Sequence, residues 1–235
     1  MVSIKDLHKK YGSQVVLNGL DLNVQEEGII AVLGPNGSGK TTLIKSILGM
    51  VVPEKGEIEI NGKSILKKWN YRQELDYLPQ IANFPGNLRV QELITMIKDL
   101  RGKAARDKQL IDFFGLHPYL DKKLNKLSGG TRQKVNLLLC FMFDSPLIIL
   151  DEPTSGLDPV SLLRLRELIR TEKERGKTIL ITSHIMNFVE EMADRIVFLL
   201  DGKIYFDGTV NELKTSTGKF DFEHAIAQLL TEENV

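Results

Sequence analysis

The sequence has 235 residues, 42% of them hydrophobic, and its 31 Lys and Arg residues balance 31 Asp and Glu residues. This length holds one large domain or two small ones around a packed core. A formal net charge of zero gives no electrostatic argument for binding nucleic acid or an anionic membrane surface. A single cysteine, Cys140, excludes an internal disulfide framework. No apolar run is long enough to span a bilayer and the first residues lack a signal-peptide pattern, so we expect a cytosolic chain.

The first part of the chain predicts short strands that are separated by turns. Residues 2–8, 15–17 and 20–24 have strand patterns, and the last of these alternates apolar and polar side chains. Asn61-Gly62 lies between two further strand candidates and suits a tight hairpin turn. We therefore expect a β layer ahead of an α/β core.

Residues 34–42 are the first stretch that points to a particular chemistry. They fit the pattern G-x-x-x-x-G-K-[ST], with a strand-like apolar run before them and a helical run after them. Glycines let backbone N–H groups approach an anion, and a helix N-terminus adds partial positive charge. The pattern predicts a phosphate-binding loop formed by Gly34, Pro35, Asn36, Gly37, Ser38, Gly39, Lys40, Thr41 and Thr42. In such a loop Lys40 reaches the β- and γ-phosphates and the Thr41 hydroxyl is a ligand of Mg²⁺. A glycine-rich turn that caps an ordinary helix is the alternative.

Two predicted strands lead directly into chemically active side chains. Residues 146–150 form a continuous apolar run, typical of a strand buried on both faces, and Asp151 and Glu152 follow it. The next such run, residues 178–181, leads to His184. Ligands bind at the carboxyl ends of strands in open parallel sheets, and buried carboxylates need a metal ion or a proton-transfer task.

Helical patterns occupy most of the remaining chain. They extend over about 90–143 and over 160–174, where Gly176 is the expected stop. After a second hairpin at Asp201-Gly202, residues 214–219 have the composition of a linker. A last short helix carries Phe222, Ile226, Leu229 and Leu230 on one face. We expect this face to pack on its own domain, with a dimer contact as the alternative.

Residues 127–133, Leu-Ser-Gly-Gly-Thr-Arg-Gln, resemble the signature motif of ABC ATPases, and the resemblance continues in chain order over residues 1 to about 213. It implies an α/β P-loop NTPase fold with a RecA-like core sheet, an N-terminal antiparallel β layer and a helical subdomain insert. The implied organisation is a single cassette over 1–235. Its parts are a nucleotide-binding core (1–85 and 145–213), a helical subdomain with the signature motif (86–144), and a C-terminal linker and helix (214–235).

The same resemblance implies roles for residues outside the phosphate loop, with ATP and Mg²⁺ as cofactors. Tyr11 matches the aromatic residue that stacks on adenine. Gln80 matches the glutamine that contacts Mg²⁺ and the attacking water, and Asp151 matches the aspartate that holds Mg²⁺. Glu152 matches the carboxylate that polarises water, and His184 matches the histidine that contacts the γ-phosphate. The implied catalytic set is Glu152, His184, Gln80 and Lys40.

The signature motif also implies a second copy of the chain. In the family, residues that match Ser128, Gly129 and Gly130 complete the nucleotide site of an antiparallel partner, and the segment with Asp158 crosses to that partner. One chain would then supply half of each site in an ATP-dependent homodimer. Position 131 holds Thr where the commonest family pattern has Gln, which puts in doubt only the side-chain contact at that position.

The resemblance favours the ATPase subunit of an ABC transporter, bound to an integral membrane permease at the cytoplasmic face of the cell membrane. Ile81, Phe84 and Leu88 would then supply apolar contacts to the permease. The alternative is a soluble ABC-type ATPase that acts on DNA or ribosomes. The short interval between Gln80 and the signature motif, the single cassette and the neutral charge disfavour that alternative, and we expect no nucleic-acid partner. A P-loop kinase or GTPase has no use for the signature motif.

Residues 127–136 and 141–154 are similar to the ATPase subunit of the transporter that matures nitrous oxide reductase, and residues 77–82 add to this similarity. The similarity implies a role in assembling a copper enzyme, with a permease and a periplasmic partner. No ligand cluster in the sequence points to copper, so the metal would not touch this chain. The sequence does not indicate the direction of transport.

Overall fold

The computed structural model describes residues 1–25 and 27–231. The chain divides into two units: a first unit made of residues 1–72 and the chain from 178 on, and a second unit made of residues 73–177. Residues 232–235, the end of the predicted C-terminal segment, lie outside the described residues.

Strands and helices alternate along most of the chain. The strands are β1 (Val2–Tyr11), β2 (Gln14–Val24), β3 (Gly28–Leu33), β4 (Lys55–Ile60), β5 (Lys63–Ser64), β6 (Leu75–Leu78), β7 (Leu147–Asp151), β8 (Thr178–Thr182), β9 (Arg195–Leu200) and β10 (Lys203–Gly208). The helices are α1 (Lys40–Ile47), α2 (Val90–Arg101), α3 (Asp107–Phe114), α4 (Gly129–Phe141), α5 (Pro159–Glu174), α6 (Met186–Met192), α7 (Val210–Thr217) and α8 (Phe222–Thr231).

The predicted N-terminal β layer is an antiparallel sheet in the first unit, with the strand order β2-β1-β4-β5. Asn61 and Gly62 both have positive φ angles, 52° and 69°, as a type I′ hairpin turn requires. The prediction of two strands over 15–17 and 20–24 is wrong, because β2 runs through both. A register shift against β1 leaves Gly19 unpaired, and its φ of 70° absorbs the irregularity without ending the strand.

A second set of strands in the first unit positions the phosphate loop. β3 pairs in parallel with β8 on one side and with β9 on the other, and β10 pairs antiparallel with β9. Every residue of β3 and β8 is buried, as expected for strands covered on both faces. Val32 lies opposite Thr182, so β3 and β8 end at the same edge of the sheet.

Helix α8 packs on its own unit, which confirms the prediction for its apolar face. Phe222, Ile226 and Leu229 join a buried cluster that also contains side chains of β3 and β9. The linker predicted over 214–219 is wrong for residues 214–217, which belong to α7. Thr209 and Glu212 form a capping box that starts this helix, and Gly218 ends it.

The second unit contains the helical stretch that the sequence predicts. β6 and β7 pair in parallel, and α2 to α5 complete the unit. Val90, Leu93 and Ile94 of α2 are buried, in agreement with their predicted common face. None of the helices in the described part of the chain has the length and apolar content that a bilayer crossing requires.

Candidate functional site

The loop between β3 and α1 has the geometry of an anion cradle. Gly34, Gly37 and Gly39 have φ angles of 143°, 86° and 105°, which L-residues with side chains rarely adopt. A Cβ atom at Gly34 would overlap the carbonyl oxygen of Leu199 and lie 2.7 Å from Ser38 Oγ. The Ser38 hydroxyl is buried and has no hydrogen-bond partner among the described residues. The glycines therefore allow a tight turn around a polar group that a phosphate oxygen could satisfy.

Lys40 places its positive charge over this loop. Its Nζ atom donates hydrogen bonds to the carbonyl oxygens of Gly34 at 2.7 Å and Pro35 at 2.9 Å. Lys40 is also the first residue of α1, whose first turn contains no acidic side chain, and Thr41 is exposed beside it. The helix N-terminus and the ammonium group thus favour an anion at the same point.

The first unit holds two more of the predicted site residues. His184 is exposed two residues beyond β8, at the sheet edge where β3 leads into the phosphate loop. Tyr11 ends β1 with 51% of its surface exposed, and Lys9 Nζ lies 5.3 Å from the centre of its ring. An exposed ring of this kind can stack on a planar base.

The second unit holds the predicted acidic residues and Gln80. Asp151 ends β7 and Glu152 follows it, with only 5% and 9% of their surfaces exposed. Gln80 lies two residues beyond β6, at the same edge, because Leu78 pairs with Leu150. Burial, followed by the charge of Asp151, raises the pKa of Tyr77 on β6 to about 12.

Glu152 has a left-handed backbone conformation. Its φ angle is 52°, a value that costs a non-glycine residue about 1–3 kcal/mol. Such strain is often found where a side chain must be held in a functional orientation. The sequence predicts this residue by type and position but contains no signal for its backbone angle.

A second helix N-terminus lies at the signature motif. Ser128 is the N-cap of α4, and its Oγ accepts a hydrogen bond from the backbone N–H of Thr131 at 3.3 Å. The first turn of α4 has no acidic residue, and Gly129 and Gly130 leave the backbone bare. This is a further place where backbone N–H groups could meet an anion.

Helix α4 is tied to the segment that follows Glu152. Gln133 is buried and donates from Nε2 to the carbonyl oxygen of Pro153 at 3.1 Å. Lys134 Nζ lies 2.9 Å from Asp158 Oδ2, and this contact is the main cause that holds the pKa of Asp158 below its usual range. A Cβ atom at Gly130 would lie 3.0 Å from the carbonyl oxygen of Gly156. The sequence analysis missed Gln133 and Lys134, although their spacing from Gly130 places all three on one face of a helix.

Comparison with known proteins identifies the family. A sequence model described as ABC transporter matches residues 17–155, a range that contains the phosphate loop, Ser128 and Glu152. The chain belongs to the ABC transporter family. This cassette is 33% identical to the uncharacterised ABC transporter ATP-binding protein YhaQ of Bacillus subtilis, over 93% of its own length and 74% of that protein.

The names of two relatives state what those proteins transport. This cassette is 34% identical to a bacitracin transport ATP-binding protein of Bacillus licheniformis, over 94% of this chain and 73% of that protein. It is 33% identical to a lantibiotic transport ATP-binding protein of Streptococcus pyogenes, over 90% of this chain and 93% of that protein.

Solved structures confirm the predicted α/β P-loop NTPase fold of the ABC type. One, an ATP-binding subunit of an ABC transporter, has a TM-score of 0.90 and 29% identity and covers 98% of this chain and 99% of its own. A dimeric bacterial ABC transporter cassette has a TM-score of 0.81 and 25% identity, over 89% of this chain and 98% of its own. Family membership makes the cassette a nucleotide-binding ATPase subunit, as predicted.

The oxygen donors of the cassette suit Mg²⁺. The first unit offers the Thr41 hydroxyl and the second unit offers the Asp151 carboxylate and the Gln80 amide, all of them hard oxygen ligands. Among the described residues, no group of three or more His, Cys, Asp and Glu side chains could hold a metal by itself. Mg²⁺ commonly binds through one or two protein ligands and the phosphates of a nucleotide, and the donors within either unit fit that number.

Proposed function

We propose that two copies of this cassette form an ATP-dependent homodimer that hydrolyses ATP and drives an integral membrane permease at the cytoplasmic face of the cell membrane. One observation gives the main support for the proposed dimer. Among the described residues, the helices that follow the phosphate loop and the signature motif begin at Lys40 in α1 and after Ser128 in α4, both without an acidic residue in the first turn, and the sequence has one copy of each motif. The dimeric structure of a related cassette supports the same arrangement.

In this proposal each composite site uses one chain's phosphate loop and the partner's signature motif. Lys40 and the loop N–H groups hold the phosphates, Tyr11 stacks on adenine, and the partner's α4 closes the site through Ser128, Gly129 and Gly130. Asp158 belongs to the segment that contacts the partner. Thr41, Asp151 and Gln80 would hold Mg²⁺, which would neutralise charge on the phosphates. The functional division is a core over 1–85 and 145–213, a helical subdomain over 86–144 and a C-terminal segment over 214–235.

Hydrolysis in such a site depends on positioning and charge stabilisation, because phosphoryl transfer needs little covalent chemistry from the protein. Lys40 and the Ser128 hydroxyl of the other chain stabilise negative charge on the γ-phosphate. Glu152 orients the attacking water and accepts its proton, and His184 and Gln80 complete the water and phosphate contacts. The constrained backbone at Glu152 supports this role, since it restricts where the carboxylate can point.

The decisive variant is Glu152→Gln. It keeps the shape of the side chain but removes the base, so we expect steady-state ATPase turnover to fall about 100-fold or more while ATP binding persists. Glu167→Gln, the same change on the exposed face of α5, should leave turnover unchanged. Near-normal turnover of Glu152→Gln would contradict the assignment of Glu152 as the base.

A permease contact is supported by the segment beyond β6. Ile81 is 81% exposed, and Phe84 and Leu88 are partly exposed in the same segment. Apolar side chains at this exposure are typical of surfaces that another protein covers. We expect the chain to fractionate with membranes only when its permease is co-expressed, and membrane binding without any permease would oppose this part of the proposal.

The finer proposal is that the transporter, with a periplasmic partner, serves the maturation of the copper enzyme nitrous oxide reductase. It rests only on the sequence similarity of residues 127–136 and 141–154, to which residues 77–82 add. The relatives named for bacitracin and lantibiotic transport favour a second candidate, the transport of peptide antibiotics. Deleting the gene separates the two: loss of copper from the reductase supports the first, and altered sensitivity to such peptides with a copper-replete reductase supports the second.

A further inference from the structure

Position 131 differs from the commonest family pattern, and the structure gives its side chain a specific contact. Thr131 Oγ1 lies 2.9 Å from Ser128 Oγ, and either hydroxyl can be the donor. The backbone N–H of Thr131 donates to the same Ser128 oxygen at 3.3 Å. We propose that Thr131 is a positioning residue that turns the Ser128 hydroxyl proton toward the γ-phosphate bound by the partner cassette. This inference rests on the dimer of the proposed function.

The hydrogen-bonding capacity of a serine hydroxyl explains how Thr131 can orient the Ser128 proton. The group has one proton to donate and two lone pairs that accept. The Thr131 N–H occupies one lone pair of Ser128 Oγ, and the Thr131 hydroxyl occupies the other when it donates. Both lone pairs of Ser128 Oγ then accept hydrogen bonds from Thr131, so the Ser128 hydroxyl is left to donate its proton to a different acceptor.

A nucleotide phosphate selects this arrangement of the two hydroxyls. A phosphate oxygen only accepts hydrogen bonds, so it requires Ser128 to be the donor, and Thr131 must then donate to Ser128. Hydrogen bonds in such a chain polarise one another, which strengthens the bond from Ser128 to the phosphate. Without a partner the hydrogen bond between the two hydroxyls can reverse its direction, because either hydroxyl can be the donor.

The surroundings leave the Ser128 hydroxyl open to a ligand. Ser128 is exposed, Gly129 and Gly130 have no side chains to cover it, and the first turn of α4 has no acidic residue to take its proton. A Gln at position 131 would instead be the third helical residue of an S-x-x-Q capping box, reaching back to the Ser128 backbone N–H. The Thr therefore replaces a backbone contact with a direct bond to the hydroxyl that faces the nucleotide.

A thermodynamic cycle tests the inference in the full-length chain. The variants are Thr131→Val, Thr131→Ser, Ser128→Ala and the double variant Ser128→Ala/Thr131→Val, all in a Glu152→Gln background that prevents turnover. Thr171→Val, which removes a hydroxyl bonded to a backbone carbonyl on the exposed face of α5, is the matched control. Sedimentation velocity in saturating MgATP gives the dimer dissociation constant, and ATP titration of the dilute monomer gives nucleotide affinity.

We expect Thr131→Val to raise the dissociation constant of the ATP-bound dimer about four- to a hundredfold, because one net hydrogen bond, worth about two- to tenfold, is lost at each of the two composite sites. Thr131→Ser should restore wild-type affinity, since it keeps the hydroxyl. In the Ser128→Ala background Thr131→Val should have no further effect, because the group through which it acts is gone. Monomer ATP affinity and the Thr171→Val dimer should not change.

Two results would overturn the inference while leaving the proposed function intact. One is a Thr131→Val effect that persists in full in the Ser128→Ala background, which would mean that Thr131 only stabilises the start of α4. The other is a Thr131→Ser variant as weak as Thr131→Val. A Ser128→Ala dimer as tight as wild type, or no ATP-dependent dimer in any variant, would instead contradict the composite site itself and with it the role of Thr131.

Discussion

Gly34 and Gly37 lie in the same loop and both have positive φ angles, yet their surroundings differ. A Cβ atom at Gly34 would overlap the Leu199 carbonyl oxygen, a backbone atom that cannot move aside easily. Apart from its two chain neighbours, no described residue has an atom within 4 Å of a Cβ placed at Gly37. The first glycine is therefore required for space and conformation, and the second for conformation alone.

This difference predicts unequal effects of the same substitution. Gly34→Ala combines overpacking with an unfavourable φ, so we expect the free energy of unfolding to fall by about 3 kcal/mol or more and ATP binding to be lost. Gly37→Ala should cost only about 1 kcal/mol. Denaturant unfolding and ATP titration measure both effects, and equal losses in the two variants would refute the steric argument.

At this scale the sequence predicts which residue types stand where, but not how they are oriented. Lys40, Asp151 and Glu152 follow from motif and strand pattern, because their spacing is fixed by the loop and by the end of a buried run. No local pattern encodes the φ angle of Glu152. The spacing of Ser128 and Thr131 permits their hydroxyls to meet but does not fix the side-chain rotamers that bring them to 2.9 Å.

Among the elements, α4 connects the two roles that one chain performs. In the proposed dimer its first turn would contact the partner's nucleotide. Gln133 and Lys134 hold the segment from Pro153 to Asp158, which follows Glu152, the proposed base. A shift of α4 on dimerisation would thus move the residue next to Glu152, because the buried hydrogen bond from Gln133 joins α4 to the Pro153 carbonyl oxygen. In the proposed dimer these contacts would connect the two composite sites through each chain.

Gln133→Met tests this connection. It conserves volume but removes the amide that donates to the Pro153 carbonyl, so Glu152 should be held less precisely. We expect kcat to fall about tenfold or more with little change in monomer ATP affinity, because small misplacements of catalytic groups are costly. Gln109→Met on the exposed surface of α3 is the control. Unchanged kcat in Gln133→Met would show that the contact is only structural.

Errors in predicting elements have local physical causes. The composition of residues 214–219 suggests a linker, but the capping box of Thr209 and Glu212 and the burial of Leu213 extend the helix through Thr217. The sequence of β2 predicts two strands because Gly19 interrupts the alternation of apolar and polar side chains. In the structure the pairing with β1 continues on both sides of Gly19. In both cases contacts made by residues outside the short stretch outweigh the structural preference of the stretch itself.

For the whole molecule, the central point is that one chain carries one phosphate loop and one signature motif. If the site is composite, two chains that are damaged in different motifs can rescue each other. In a mixed dimer of Lys40→Ala and Ser128→Arg chains, one site has both defects and the other has neither. A site built within a single chain would allow no such rescue.

We therefore predict that two inactive variants become active on mixing. Each variant alone should have almost no ATPase activity, and an equal mixture should recover at most about a quarter of the wild-type rate, since half of the dimers are mixed and each has one intact site. Circular dichroism of each variant verifies folding. No recovery at any mixing ratio would contradict an antiparallel dimer with shared sites.

The fold class and the catalytic residue types are accessible from sequence because a nucleotide places the same demands on every protein that hydrolyses it. The cargo is not, since nothing in the ATPase chemistry of Lys40 or Glu152 depends on what the permease carries. Information on cargo must lie in the partner subunits, and the differing cargo names of relatives at similar identity agree with this.

The left-handed backbone at Glu152 sets turnover and stability against each other. Glycine or asparagine would adopt φ 52° at little cost, so either would recover about 1 kcal/mol while removing the carboxylate that we propose as the base. Mutational screens that score expression or thermal tolerance would favour such replacements and enrich for folded but inactive cassettes. A screen for a more stable transporter of this kind therefore has to measure ATP hydrolysis as well, because at position 152 the more stable variants are expected to lose that activity.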